Sequence, residues 1–499
     1  MLLNIQELMV RSGVAFGTSG ARGVATAMTD SVCYAYTRGF LQYLEAAGEL
    51  KRGATGPVAV GGDFRSSTDR VMEAVCRAVA DMGYEAVHCG KIPSPAVALF
   101  GFARAMPSIM ITGSHIPEDR NGIKFNKAAG EVLKDDERGM SSQVIEIEDT
   151  LFGADGNFAK SNLAPRRIWG EAGDDYIARY LNFFEHDALS GWRVGVYQHS
   201  AVGRDVLLKI LSGLGAEVTP LGRSEKFIPV DTEAIRSEDV QLAADWARLG
   251  KFNALVSTDG DSDRPLVSDE KGHWLRGDIA GILCAKFLEA DSISTPVSCN
   301  TAVEKCGWFK EVHRTRIGSP YVVASMMQAS AAGAKRVVGY EANGGFLLNS
   351  EIESDFGRGE KRLSALPTRD AVIVILSVLL KAKSEGTTIS GLAAGLPARV
   401  TASDRIKNFA TEKSAAILAK FNSGSESADT LEIERIFGGI CGRVARLNRL
   451  DGLRIIFANE EVIHLRPSGN APEFRCYAEA DTEKRAREIV AGAFAQIQA

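Results

Sequence analysis

The chain has 499 residues, of which 45% are hydrophobic and 24% charged, with a formal net charge of −5. That length suits several domains and that apolar content suits real cores, while the acidic balance gives no electrostatic case for nucleic acid. Eight cysteines without a C-x-x-C pair argue against a zinc or dithiol site and fit a reducing compartment. The segment Met1 to Gly13 has no basic start and is interrupted by Glu7, so no signal peptide is expected. The most apolar run, Ala371 to Leu380, is too short to span a bilayer and reads as a buried helix. A soluble, cytoplasmic protein with neither a membrane nor a nucleic-acid partner is expected.

In chain order, Phe16 to Gly23 (FGTSGARG) is a glycine-rich loop carrying Arg22. It lacks the order of a nucleotide P-loop, and both anion binding and a flexible leader fit it. Val58-Ala59-Val60 reads as a strand, followed by a polar loop and a helix over Thr68 to Met82. Gly83 stops that helix, and Ala86-Val87 opens another strand. Ile109-Met110-Ile111 is a further strand that runs into Thr112-Gly113-Ser114-His115. Gly113 lets the chain turn and expose a hydroxyl, so Ser114 reads either as a nucleophile or as an ordinary turn serine. Asn121-Gly122 marks a second turn, and Lys124 follows, so hydroxyl, imidazole and amine lie close in the chain.

Gly153 to Arg167 is polar and reads as a linker, and the helix with Tyr176, Ile177, Tyr180, Leu181 and Phe184 would open the next domain. The strand–helix–strand order then returns: Val194-Gly195-Val196, a helix with Val206, Leu207, Ile210 and Leu211, breaks at Gly213 and Gly215, and a strand at Ala216 to Val218. A fainter third copy starts at Pro296-Val297-Ser298 and passes Val303 to a strand near Val312. The repeat predicts three similar α/β domains on mixed sheets, although one large sheet also fits it. After Gly395-Leu396-Pro397 the pattern changes. From Arg443 onward short strands alternate and a helix near Thr482 to Ile497 closes the chain, which predicts a smaller α+β domain.

Three more stretches carry chemistry. Asp259-Gly260-Asp261-Ser262-Asp263-Arg264 follows the buried strand Ala254-Leu255-Val256. Carboxylates on alternate residues at a strand end can point at one hard cation; a solvated acidic loop is the other reading. The ligands are too few for a calcium cage, so Mg²⁺ fits better. Gly339 to Phe346 (GYEANGGF), after Arg336-Val337-Val338, places a carboxylate and an amide on one tight turn able to meet sugar hydroxyls. Arg466 to Pro472 (RPSGNAP), with Arg475 beyond, reads either as a phosphate grip or as a hairpin with surface arginines.

These five loops, in this order and over nearly the whole chain, resemble the α-D-phosphohexomutase family. The resemblance implies four domains around a central cleft: 1–165 with the phosphoserine, 166–276 with the metal loop, 277–397 with sugar specificity and 398–499 with the phosphate anchor. It implies interconversion of hexose 6-phosphate and hexose 1-phosphate through a phosphoserine and a hexose 1,6-bisphosphate, which also serves as activator. By the same resemblance Ser114 carries the phosphoryl group, and Asp259, Asp261 and Asp263 hold Mg²⁺ against it. Arg22, His115, Lys124 and Arg264 surround it to balance charge or move protons. Arg466, Ser468, Gly469, Asn470 and Arg475 hold the idle phosphate, Glu341 and Asn343 read the sugar, and Arg316 lies on a turn facing it.

Two positions depart from the family pattern. Gly345 stands where the mannose/glucose mutases have histidine, and Asn470 where threonine is commoner. Mannose phosphate is the first expected substrate, with glucose and glucosamine phosphates as alternatives, and the protein is expected to be a monomer or homodimer. A metal-dependent phosphatase would have no use for the separate phosphate grip, and a non-catalytic binder would need neither Ser114 nor three aspartates.

Overall fold

The structure, a computed structural model, describes residues 2–17, 20–51, 53, 56–160, 168–354, 361–467 and 473–498. One strand pattern occurs three times. In the first unit Glu85–Lys91, Pro57–Gly62 and Ser108–Ile111 run parallel and Arg120–Lys127 closes antiparallel, with Ala21–Val24 and Ala15–Phe16 added at the edge. The second unit repeats it with Glu217–Arg223, Arg193–His199, Ala254–Thr258 and antiparallel Pro265–Val267. The third uses Glu311–Thr315, Ser292–Pro296, Val337–Tyr340 and antiparallel Phe346–Leu348. The three similar α/β units on mixed sheets are therefore present. Their central strands are buried because helices cover both faces; Val58, Ala59 and Val60 in the first are fully buried.

This pattern places the chemistry. In every unit the third strand passes to the antiparallel fourth through a short loop, and these loops carry Ser114, the three aspartates and Glu341. The chain ends in a five-stranded antiparallel sheet, ordered Val400–Lys407, Glu473–Ala480, Val462–Pro467, Leu453–Phe457 and Val444–Asn448. Helix Glu483–Gln498 packs on it. The strand at 400–407 and the helices Thr411–Ala419 and Glu426–Cys441 are not apparent from the sequence pattern.

Three expectations need correcting. Asn121-Gly122 is no turn but lies inside the strand Arg120–Lys127; the chain turns earlier, where Arg120 N–H donates to the Pro117 carbonyl at 3.2 Å. The third copy begins at Ser292–Pro296, a strand too rich in Ser and Thr to stand out, and Val297-Ser298 come after it. The stretch from Gly153 is not wholly a linker: Phe158 stacks on Phe152, and both meet Tyr34 edge-on against the first core. Residues 161–167 lie outside the described residues.

The second and third units share one continuous core, built around the helix Ala371–Ser384, which is apolar on nearly every side. Asp370 caps that helix, accepting from Val372 N–H at 3.1 Å. Its carboxylate also accepts the buried hydroxyls of Tyr176 (2.6 Å) and Tyr180, both on helix Glu171–Phe183. That helix packs against both Ser94–Ala103 of the first unit and Arg204–Gly213 of the second, so it also joins the two units. Among the described residues no helix is long and apolar enough to cross a membrane.

Asp370→Ala would strip two buried hydroxyls of their shared acceptor and leave the helix uncapped. It should destabilise the shared core by about 3 kcal/mol or more, whereas Tyr176→Phe should cost about 1 kcal/mol. Calorimetry on both variants checks this; equal effects would contradict the shared role of the carboxylate.

Candidate active site

Ser114 is fully buried and adopts a left-handed backbone, φ 57°. Its neighbours impose that conformation. Asp63 accepts from Thr112 Oγ1 at 2.7 Å, and Thr112 Oγ1 accepts from Ser114 N–H at 2.7 Å. Arg65, buried and paired with Asp63, donates to the carbonyls of Ser114 (2.9 Å), Ile116 (2.6 Å), Pro117 (2.6 Å) and Arg120 (2.9 Å). One guanidinium therefore gathers the whole loop, and its plane lies over Phe227 of the second unit, 4.0 Å from the ring centre. A Cβ on residue 113 would sit 2.6 Å from Arg65 Cζ, so glycine is required there.

The aspartate loop approaches from the second unit. A Cβ at position 260 would lie 2.7 Å from the Ser114 carbonyl, so Gly260 permits the contact between loops. Ser114 Oγ donates to Asp259 Oδ2 at 2.5 Å. Asp259, Asp261 and Asp263 are buried, and one carboxylate oxygen from each lies within 4.8 Å of the others. Asp261 Oδ1 and Asp263 Oδ1 are buried without hydrogen-bond partners. A hard cation beside Ser114 would satisfy those orphaned oxygens, so the donor set fits a divalent metal.

Cations from all three units balance these charges. Lys124, in the strand next to Ser108–Ile111, donates to Asp261 Oδ2 and Asp263 Oδ2, both at 2.6 Å. Burial works against its ammonium, but the two carboxylates outweigh it and raise its pKa. Asp263 falls below the usual carboxylate range: burial opposes this, and Lys124, Arg369 and Arg264 overcome it. For Asp259 the help from Arg264 and the Ser114 hydroxyl is too small. Burial, then Asp261 and Asp263, hold its pKa well above normal.

His115 Nδ1 accepts from Arg264 Nη1 at 2.8 Å, since arginine can only donate. Burial and then Arg264 lower the His115 pKa to about 3, so the ring is neutral. With Nδ1 engaged and 3.4 Å from Ser114 Oγ, Asp259 rather than His115 is the nearer acceptor of the serine proton. Arg22 lies in the adjacent strand opposite Gly122, and burial followed by Arg264 lowers its pKa to about 10.

In the third unit Glu341 is buried and accepts from Arg369 Nε at 2.6 Å. Asn343 closes its own loop by accepting from Gly345 N–H at 2.9 Å, and its carbonyl accepts from Thr232 Oγ1 at 2.6 Å. Arg316 is exposed and donates to the Leu450 carbonyl at 3.1 Å. In the last sheet Arg466 and Arg475 stand directly opposite on neighbouring strands, and Arg405 is opposite Arg475 on the other side. Facing like charges are unfavourable unless something anionic shares the space. Asp451 bonds Arg466 at 2.7 Å and Glu473 bonds Arg475 at 3.0 Å. Ser468, Gly469 and Asn470 lie outside the described residues. Arg65, Arg369, Arg405 and Asp451 are the site residues that sequence reasoning missed; only the D-x-R spacing of Asp63 and Arg65 after a buried strand offered a local signal.

A separate cleft of about 550 Å³, lined by Trp308, Lys310, Lys335 and Lys381 among others, lies at the opposite end of the third sheet. Lys286 and Lys381 there occupy the last turns of helices Gly277–Phe287 and Ala371–Ser384, where cations answer the helix dipoles.

Comparison with known proteins agrees with this geometry. Models of the phosphoglucomutase/phosphomannomutase family match as alpha/beta/alpha domain I at residues 13–150, domain II at 174–272, domain III at 276–400 and the C-terminal domain at 400–496. The chain belongs to this family. A phosphomannomutase of Sinorhizobium fredii is 44% identical, covering 96% of this chain and 98% of that one. A phosphomannomutase of Salmonella muenchen is 40% identical, covering 98% and 96%. In fold, the chain is similar to the crystal structure of a phosphoglucomutase/phosphomannomutase family protein from Burkholderia thailandensis, with a TM-score of 0.72 at 18% identity over 96% of each chain. Family membership makes the protein an isomerase of the phosphohexomutase type.

Two outcomes are expected of the site. Arg65→Met removes the donor that gathers the serine loop and strands Asp63; displacing Ser114 by about 1 Å should cost roughly 100-fold in turnover. Near-normal turnover would show that Arg65 is dispensable.

The second concerns pH. The raised pKa of Asp259 means that the folded protein holds its proton more tightly than the unfolded chain. Stability from that group is therefore lost as pH rises through the raised value. A cation needs Asp259 ionised, so protons compete with it in acid. Melting with and without excess Mg²⁺ should show a larger metal-induced Tm rise at pH 8 than at pH 5.5, the stabilisation behind it approaching about 2.7 kcal/mol at a hundredfold excess over Kd. Equal shifts at both pH values would contradict the assignment.

Proposed function

We propose that the protein is a phosphomannomutase that interconverts mannose 6-phosphate and mannose 1-phosphate. The observation that carries the reading is the 2.5 Å contact between the buried Ser114 hydroxyl and Asp259, made between loops of two units inside a ring of cations. The near-full-length relatives named phosphomannomutase support mannose ahead of glucose or glucosamine phosphate.

In the cycle phospho-Ser114 meets a hexose monophosphate. The Ser114 Oγ–P bond breaks as a bond forms from phosphorus to the free sugar hydroxyl; that hydroxyl gives up its proton and Ser114 Oγ takes one up, so no net proton is gained or lost. The resulting hexose 1,6-bisphosphate turns over in the cleft and returns its other phosphate to Ser114, whose hydroxyl proton is given up as the released sugar oxygen gains one. Hexose 1,6-bisphosphate from outside would prime unphosphorylated enzyme. Mg²⁺ held by Asp259, Asp261 and Asp263 would neutralise charge on the transferring group. Lys124, Arg264 and Arg22 add fixed positive charge, and neutral His115 orients Arg264. Arg466 and Arg475 hold the idle phosphate, with Ser468, Gly469 and Asn470. Arg316 faces the sugar, and Glu341, braced by Arg369, and Asn343 read its hydroxyls. This division of labour follows the ranges 1–165, 166–276, 277–397 and 398–499.

The test is direct. Purified protein should carry phosphate on Ser114 by intact mass and peptide mapping, and should convert mannose 1-phosphate when given Mg²⁺ and a hexose bisphosphate. Ser114→Ala should lose at least about a thousandfold in rate, as when a phosphoryl carrier is removed. Turnover within tenfold of wild type in that variant would refute the mechanism.

A further inference from the structure

The turn at Leu450-Asp451, between strands Val444–Asn448 and Leu453–Phe457, holds two arginines that belong to different units. The Leu450 carbonyl accepts from Arg316 Nε at 3.1 Å. Asp451 Oδ1 accepts from Arg466 Nε at 2.7 Å, and Asp451 Oδ2 accepts from the backbone N–H of Ile317 at 2.9 Å. The turn is itself fixed: Leu450 N–H donates to Asn448 Oδ1 at 2.8 Å, and His464 Nε2 bonds the Asp451 carbonyl at 2.6 Å. A side chain at Gly452 would lie 2.3 Å from the Leu465 carbonyl, and its φ of 79° also favours glycine. The turn thus meets a loop of the third unit on one side and the strand Val462–Pro467 on the other.

Both arginines are held by Nε. Among the described residues, the terminal nitrogens of Arg466 have no hydrogen-bond partner, and the Arg466 and Asp451 side chains each keep 16% of their surface. A carboxylate on the Nε edge fixes the plane of a guanidinium while leaving its fork free for a second anion. The same carboxylate, through Ile317, fixes how the last sheet sits against the third unit.

We propose that Asp451 is a positioning residue for phosphate recognition: it orients the Arg466 fork and locks the last sheet to the third unit at the Arg316-Ile317 turn, so that a phosphate monoester dianion meets a preformed grip. This rests on the phosphate-anchor reading of Arg466. Asp451 touches no reacting atom, so its loss acts on binding and not on phosphoryl transfer. Asp451→Asn keeps the volume and can still accept from Ile317 N–H, yet its amide carries no charge to hold the arginine.

The experiment measures kcat and KM for mannose 1-phosphate on wild type, Asp451→Asn, Asp451→Glu, Arg466→Ala and the double variant Asp451→Asn with Arg466→Ala, with inorganic phosphate binding by calorimetry alongside. Asp451→Asn should raise KM about tenfold or more with kcat within threefold, a split that general loss of structure would not give. Phosphate affinity should fall in parallel, and Asp451→Glu should recover part of both. In the double variant the Asn change should add nothing, because Arg466 is already gone. An unchanged KM in Asp451→Asn, a fall confined to kcat, or a full additive effect in the double variant would overturn the proposal. If Asp451→Asn does not fold, Asp451→Glu carries the KM test, and a KM equal to wild type overturns it. Should wild type convert no hexose phosphate, the functional reading fails, and phosphate affinity alone decides the role of Asp451: a loss on Asp451→Asn supports it and no change overturns it.

Discussion

Three carboxylates confined to one buried loop repel one another strongly unless cations stand beside them; a pair of unit charges 4 Å apart is worth about 4 kcal/mol at an effective dielectric of 20. Here Asp259, Asp261 and Asp263 come from the second unit, Lys124 from the first and Arg369 from the third. Charge balance is thus a property of the assembled units and not of any one of them. Lys124 bonds two of the three aspartates, so the first unit cannot leave the second without exposing uncompensated charge. Arg369 pairs with Glu341 while lying 3.9 Å from Asp263, which ties the third unit's loop to the same centre.

Positions adjacent in the sequence were legible. Ser114 and the three aspartates each follow a short apolar strand, and a strand end is where a repeated parallel unit presents its loops. The repeat itself was visible because glycines break its helices on cue. Arg65 was not legible as a loop-holder, since its partners are backbone carbonyls 49 to 55 positions away and carbonyls carry no sequence signature. Arg369 and Asp451 were missed for a related reason: single charged residues look like ordinary surface until the chain is folded around them. Asn121-Gly122 misled because its side chains serve packing. A Cβ at Gly122 would press on the Thr112 carbonyl at 2.8 Å, while Asn121 Nδ2 donates to Ser67 Oγ at 2.9 Å and Thr68 Oγ1 at 3.2 Å.

The last sheet works differently from the other three. It presents a row of arginines across neighbouring strands, a pattern that costs stability when left alone and turns favourable when a dianion is shared. Only the loop beyond Arg466 looked chemical in the sequence; the row became apparent once antiparallel register set Arg405, Arg475 and Arg466 side by side. On the proposed reading, an anchor made this way would recognise phosphate charge and not the sugar ring. That suits a reaction in which the same sugar must present two different phosphates in turn.

The central claim is that one phosphoryl group passes between Ser114 and the sugar and that a second returns to the same oxygen. Rapid-quench single turnover with enzyme carrying labelled phosphate on Ser114 and unlabelled mannose 1-phosphate tests it most directly. Label should leave the protein for hexose 1,6-bisphosphate before any mannose 6-phosphate forms, and the released mannose 6-phosphate should then carry the label while the protein regains unlabelled phosphate. Label appearing first as inorganic phosphate, or staying on the protein through a complete turnover, would contradict the account.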